Sequence, residues 1–160
     1  MPALKILELS FQLDKVSSIS AWKTLAEAPR FRNLEELVIR GCDMRVHDMI
    51  RFVLKQTETL TLLDISSLGL HEGTMSDIRT FYAMLSKACK LEDFHQHDLA
   101  LVSHHQTETI VPPSRLRLPG CHDGEVEDDY VVVGVWSNLL HWKGLQEVQE
   151  VLADLAVCLF

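Results

Sequence analysis

The densest group of chemically capable side chains lies in FHQHDLALVSHH, residues 94–105, which carries His95, His97, Asp98, His104 and His105. Neutral imidazole and carboxylate are ligands that transition metals select, so the first chemistry to weigh is metal binding. Extended backbone sends alternate side chains to one side, which brings His95 and His97 together but leaves a third ligand to come from elsewhere. Polar residues on the outer side of a strand and its following loop explain the same pattern without an ion, and no metal is expected. Catalytic phrases are equally sparse. The chain has no glycine-rich phosphate loop, no GxSxG elbow and no HExxH pair, and Glu35 and Glu36 are adjacent, so they leave a strand on opposite sides. Five carboxylates fall in the seven residues Asp123–Asp129, without the ligand periodicity of a calcium loop. Neither enzyme activity nor a cofactor is expected.

The elements that would position these residues follow a repeated phrase. LEELVIRGCDM, beginning at Leu34, has Leu37, Ile39, Cys42 and Met44 at offsets 3, 5, 8 and 10. LTLLDISSLGL, beginning at Leu60, fills the same offsets with Leu63, Ile65, Leu68 and Leu70. LEDFHQHDLAL, from Leu91, keeps Phe94, Leu99 and Leu101 but has Gln96 at offset 5, a degraded copy. Near the start, Leu4, Leu7 and Leu9 supply the first three positions and Gln12 the fourth. The copies begin 30, 26 and 31 residues apart, and self-similarity at such a period marks stacked repeat units. Apolar residues at offsets 3 and 5 bury one face of a short strand. Strands are expected near 5–9, 36–39, 62–65 and 92–96, parallel to one another. Each phrase precedes a helical stretch: Trp22, Leu25 and Ala26 before Pro29; Met49, Ile50, Val53 and Leu54; Ile78, Phe81, Tyr82 and Leu85. Asp48 and either Ser76 or Asp77 are the expected N-caps.

This strand, turn and helix unit resembles the leucine-rich repeat family in its longer, helix-containing form, over residues 4 to about 101. The texture and uneven spacing are most similar to the repeat regions of fungal F-box-type proteins. The resemblance implies an α/β leucine-rich repeat solenoid: a short curved parallel sheet with helices on its convex side. It also implies a non-catalytic module that binds another protein on the concave face, and in F-box proteins such repeats select substrates for a ubiquitin ligase. The alternative is a structural or self-associating repeat fragment with no ligase role.

With offsets 3 and 5 in the core, offsets 2, 4 and 6 face outward. Ser10, Arg40, Ser66 and His97 are then expected in one column of that face, and Glu8, Val38, Asp64 and His95 in another. Ile6, Glu36, Leu62 and Asp93 make the third. The expected protein-binding residues are Glu8, Ser10, Glu36, Val38, Arg40, Asp64, Ser66, Asp93, His95 and His97. Only Met-Pro-Ala precedes Leu4, so the first strand is expected to be an open edge, a template for pairing with another chain. Self-association through that edge, or further repeats or a partner stacked before Leu4, is expected.

Three regions are expected: repeats over 1–101, a long acidic, proline-containing loop over 102–129, and a strand plus C-terminal helix closing the stack over 130–160. YVVVGVW supplies the strand, and most of SNLLHWKGLQEVQEVLADLAV reads as helix. The net charge of −8 is uneven, with a balance of +2 over residues 1–55 and −10 over 56–160, which argues against a nucleic-acid partner. No apolar run approaches the roughly 18 residues needed to span a bilayer, so no membrane partner and a cytoplasmic or nuclear site are expected. The four cysteines have no CxxC pairing, and Cys42 and Cys89 read as buried free thiols.

Overall fold

Each repeated phrase forms a strand, and the stretch after it forms a helix. The computed structural model describes residues 4–10, 15–102, 107–109 and 140–158. In chain order the elements are β1 (Ile6–Ser10), α1 (Lys15–Glu27), β2 (Glu36–Arg45), α2 (Val46–Leu54), β3 (Leu62–His71), α3 (Met75–Ala88) and β4 (Asp93–Val102). β5 (Thr107–Thr109), β6 (Leu140–Lys143) and α4 (Leu145–Cys158) follow. β1 to β4 lie side by side in sequence order and all pair in parallel. The register is the one the offsets require, with Leu7, Leu37, Leu63 and Phe94 in one row and Leu9, Ile39, Ile65 and Gln96 in another. α1 packs on α2, α2 on α3 and α3 on α4. Between helices and sheet, Leu37, Ile39, Leu63, Ile65 and Phe94 are completely buried.

β2, β3 and β4 run ten residues each where four or five were expected, because each turns a corner and keeps its ladder. Strict alternation would carry buried positions from offsets 3 and 5 to 7 and 9, whereas the apolar residues lie at 8 and 10. A left-handed residue at offset 7 resets the phase: Gly41 at φ 60°, Ser67 at 55° and Asp98 at 46°. Cys42, Met44, Leu68, Leu70, Leu99 and Leu101 are consequently buried like the residues before the corner. Glycine adopts this conformation freely and aspartate tolerates it through its short polar side chain.

The N-cap of α3 is Thr74, two residues before Ser76 and three before Asp77, the expected caps. Its hydroxyl accepts from the Asp77 N–H while the Asp77 carboxylate accepts from the Thr74 N–H, a capping box. The Thr74 hydroxyl and N–H hold the Asp77 carboxyl below its ordinary pKa. Asp48 is likewise not a cap but lies inside the first turn of α2, where a carboxylate complements the helix dipole.

At the far side of the sheet, β5 pairs antiparallel with Ala100–Val102 and β6 antiparallel with Asp93–Gln96, so the outer edge of β4 is occupied. β5 falls within the stretch expected to be loop. Residues 140–143, expected to be helical, are the strand β6, and Gly144 at φ 105° separates them from α4. Trp142 is thereby a sheet residue, its indole stacked on Phe94 with ring centroids 5.7 Å apart. Val148, Val151, Leu152 and Leu155 form the buried stripe of α4, and Gln149 Nε2 donates to the Cys89 carbonyl at 2.8 Å, closing the end of α3. The strand expected in 130–136 and the acidic stretch 123–129 lie outside the described residues. Among the described residues no helix is long and apolar enough to cross a membrane.

Candidate functional site, the outer face of the parallel sheet

The backbone register assembles the expected columns. Ser10 pairs with Arg40, Arg40 with Ser66 and Ser66 with His97; Glu8 pairs with Val38, Val38 with Asp64 and Asp64 with His95. Glu36, Leu62 and Asp93 complete the third column. Glu8, Ser10 and Arg40 are exposed, while Glu36, Val38, Leu62, Ser66, Asp93, His95 and His97 are half-buried. Asp64 departs from the pattern of an open contact residue, being only 6% exposed.

Arg40 explains that burial. From β2 its guanidinium reaches over β3, with Nη2 donating to Asp64 Oδ2 at 2.6 Å, and toward β1, with Nη1 3.7 Å from Glu8 Oε1. Ser66 Oγ donates to the other Asp64 oxygen at 2.5 Å. Both carboxylate oxygens are thus satisfied, as a nearly buried charge demands. The hydrogen bond to Asp64, and then its charge, raise the Arg40 pKa above the ordinary value. Three strands are tied across the face by one side chain. Glu8, Arg40, Asp64 and Ser66 are brought together; Ser10, Glu36 and Val38 flank them without a direct bond to this network.

The histidines are held locally. His95 Nε2 lies 2.9 Å from Asp93 Oδ1, and His97 Nε2 lies 3.3 Å from Asp98 Oδ2 at the corner. The two rings therefore engage different carboxylates. Among the described residues no three His, Cys, Asp or Glu side chains could together hold a metal ion. His104 and His105 lie outside the described residues.

Past the corner lies a second polar group that the offsets did not single out. His71 Nε2 is 2.7 Å from Asp43 Oδ1, and His71 is only 7% exposed. Gly69 makes the contact feasible, since a Cβ there would stand 2.2 Å from that same oxygen. Ser18 Oγ on α1 donates to the Asp43 carbonyl at 2.7 Å and accepts from the Asp43 N–H at 3.2 Å. The hydroxyl is committed to backbone, and the cluster straps α1, β2 and β3 together. Its sequence signal was available: Asp43 and Gly69 share offset 9, and a glycine inside a strand marks a close approach.

The two described thiols are inert. Burial pushes Cys42 up to about 11, with the neighbouring Trp22 N–H acting in the opposite direction, and pushes Cys89 up to about 12. No family model, curated protein or solved structure matches this chain.

Proposed function

We propose that the chain is a leucine-rich repeat module without catalytic activity that binds a protein partner on the outer face of β1 to β4. The observation that carries this reading is the register-locked face in which Arg40 joins Glu8 and Asp64 across three strands. A satisfied charge network of this kind is rigid before a partner arrives, which lowers the entropy lost on association. Around it lie the half-buried apolar Val38 and Leu62, the exposed Ile6 and the carboxylate Glu36, a mixed surface of the sort protein interfaces use. A substrate-selecting role within an F-box-type ubiquitin ligase is the specific form of the proposal. A structural or self-associating repeat fragment without a ligase role is the second reading, favoured by β1, which among the described residues pairs only with β2.

The test is a photo-crosslinking residue placed at Val38 in the intact chain within its own cells. A discrete adduct that disappears when Arg40→Glu is introduced, with the thermal transition of the variant retained, supports outer-face binding. An adduct pattern indifferent to Arg40→Glu removes that face from the reading. Calorimetric titration with the adaptor subunit of the ligase separates the two forms, since heat of binding is expected only of the ligase component.

A further inference from the structure

The loop that carries the chain from α1 to β2, residues 28–35, is pinned from inside. The Phe31 N–H donates to Gln56 Oε1 at 3.1 Å, and Gln56 is wholly buried, its Nε2 donating to the Phe52 carbonyl at 3.3 Å. The Phe31 ring meets Phe52 edge-on with centroids 6.3 Å apart, and the Leu34 N–H closes a turn onto the Phe31 carbonyl. With Phe31 held inward, its neighbours Arg30 and Arg32, together with Pro29 and Asn33, line an open hollow of about 620 Å³. Arg30, Arg32 and Asn33 also border a second hollow of about 230 Å³, whose remaining walls are Leu4 and Phe31. The cations around this loop are unevenly matched. Lys5 pairs with Glu35 at 2.7 Å, and Lys55 Nζ donates to the Ala26 and Ala28 carbonyls at 2.6 and 2.9 Å, closing the end of α1. Arg30 Nη1 lies 2.6 Å from Glu58 Oε2, but the Glu58 side chain is 75% exposed, and a solvated bridge of this kind is worth little. Arg30 Nε is buried without an acceptor, and among the described residues no carboxylate pairs with Arg32.

We propose that the larger hollow binds a phosphoryl group. Such a group presents three terminal oxygens, enough to accept from Arg30, Arg32 and the Asn33 amide at once, whereas a carboxylate offers two oxygens and a single charge. The planar guanidinium fork matches these oxygens in a way an ammonium does not. The anion displaces the exposed Glu58 from Arg30 and gives Arg32 the counter-charge it lacks. The whole chain carries −8, so attraction of an anion has to arise locally, from these side chains. A phosphate ester and free inorganic phosphate present the same oxygens, and an ester adds a body that the smaller hollow beside Leu4 and Phe31 can take. The site sits in the loop before β2 and does not rest on the outer-face reading: Arg40→Glu tests the one, Arg32 and Glu58 variants the other.

The full chain is titrated at constant ionic strength with inorganic phosphate, phenyl phosphate and acetate while the arginine Nε–H signals are followed by NMR. Phosphate is expected to shift the Arg30 and Arg32 signals with a Kd of about 0.1–10 mM, and acetate to bind about tenfold more weakly. Tighter binding of phenyl phosphate than of phosphate assigns the site to esters; otherwise the free ion is its ligand. Arg32→Ala, at an exposed position, is expected to weaken phosphate binding roughly tenfold. Glu58→Gln, which frees Arg30, is expected to strengthen it about two- to fivefold. Misfolding cannot produce that gain, so Glu58→Gln decides the matter should Arg32→Ala fail to fold by circular dichroism. Lys15→Ala, at the opposite end of α1 and about 20 Å away, removes the same charge and is expected to change nothing. Arginine signals unmoved up to about 10 mM phosphate, acetate binding as tightly as phosphate, equal weakening by Arg32→Ala and Lys15→Ala, or no gain from Glu58→Gln would each overturn the proposal.

Discussion

Gln96 occupies the core position that Ile39 and Ile65 hold in the neighbouring strands, and it is only 2% exposed. A buried amide is tolerated only when bonded, and the Tyr82 hydroxyl on α3 donates to its Oε1. Burial raises the Tyr82 pKa well above the phenol range, so the hydroxyl keeps its proton at every physiological pH. Tyr82→Phe is therefore expected to lower stability by about 1–3 kcal/mol, the cost of an amide left without its donor. The double variant Tyr82→Phe with Gln96→Leu is expected to recover most of that loss in denaturant unfolding; a double variant as weak as the single would show that Gln96 is not sustained by this bond. The sequence marked Gln96 as a break in the phrase but not its remedy, because Tyr82 counts as one more apolar position on a helix until packing turns its hydroxyl inward. Asp64 is a similar case. Its offset placed it correctly on the outer face, and only the reach of Arg40 from the next strand buries it.

At the scale of the element, the corners decide what each strand can do. Ser67 and Asp98 hold left-handed backbone with a Cβ, whereas Gly41 does so without one. Left-handed conformation costs an L-residue about 1–2 kcal/mol, so Gly41→Ala is expected to destabilise by about 1 kcal/mol although open space surrounds the new methyl group. Ser67→Gly is expected to be neutral or to stabilise by up to about 1 kcal/mol. Chemical denaturation of the two variants checks both signs, and a Gly41→Ala chain of unchanged stability would remove the corner from the account. Parallel pairing and register were legible from the offsets, since a one-residue slip would have turned every apolar side chain outward. The continuation of β2, β3 and β4 past offset 7 was not, because the phase change reads as the end of a strand unless the backbone is known to bend there. The C-terminal segment misled for a related reason: Leu139, Leu140 and Trp142 fit a helical period, and it is Gly144 that assigns 140–143 to the sheet.

At the scale of the whole molecule, among the described residues burial rises from β1 inward to β2 and β3. Leu37→Ala and Leu63→Ala remove side chains with no exposure and are expected to cost about 2–5 kcal/mol each. Leu7→Ala, in the same row but only partly buried, is expected to cost well under half as much. Equal losses in thermal unfolding would mean that the end at β1 is as closed as the middle. This gradient has a mechanical meaning. Helices pack on the helices of adjacent units and strands of the parallel stack pair with adjacent strands, so among the described residues no clamp spans the whole row. A chain pulled from its first strand is expected to peel unit by unit from that end, each release paying out the 26 to 31 residues of one period, about 90–110 Å of extended polypeptide. Tension, rather than heat or denaturant, is the stress under which this fold comes apart as a series of separate events.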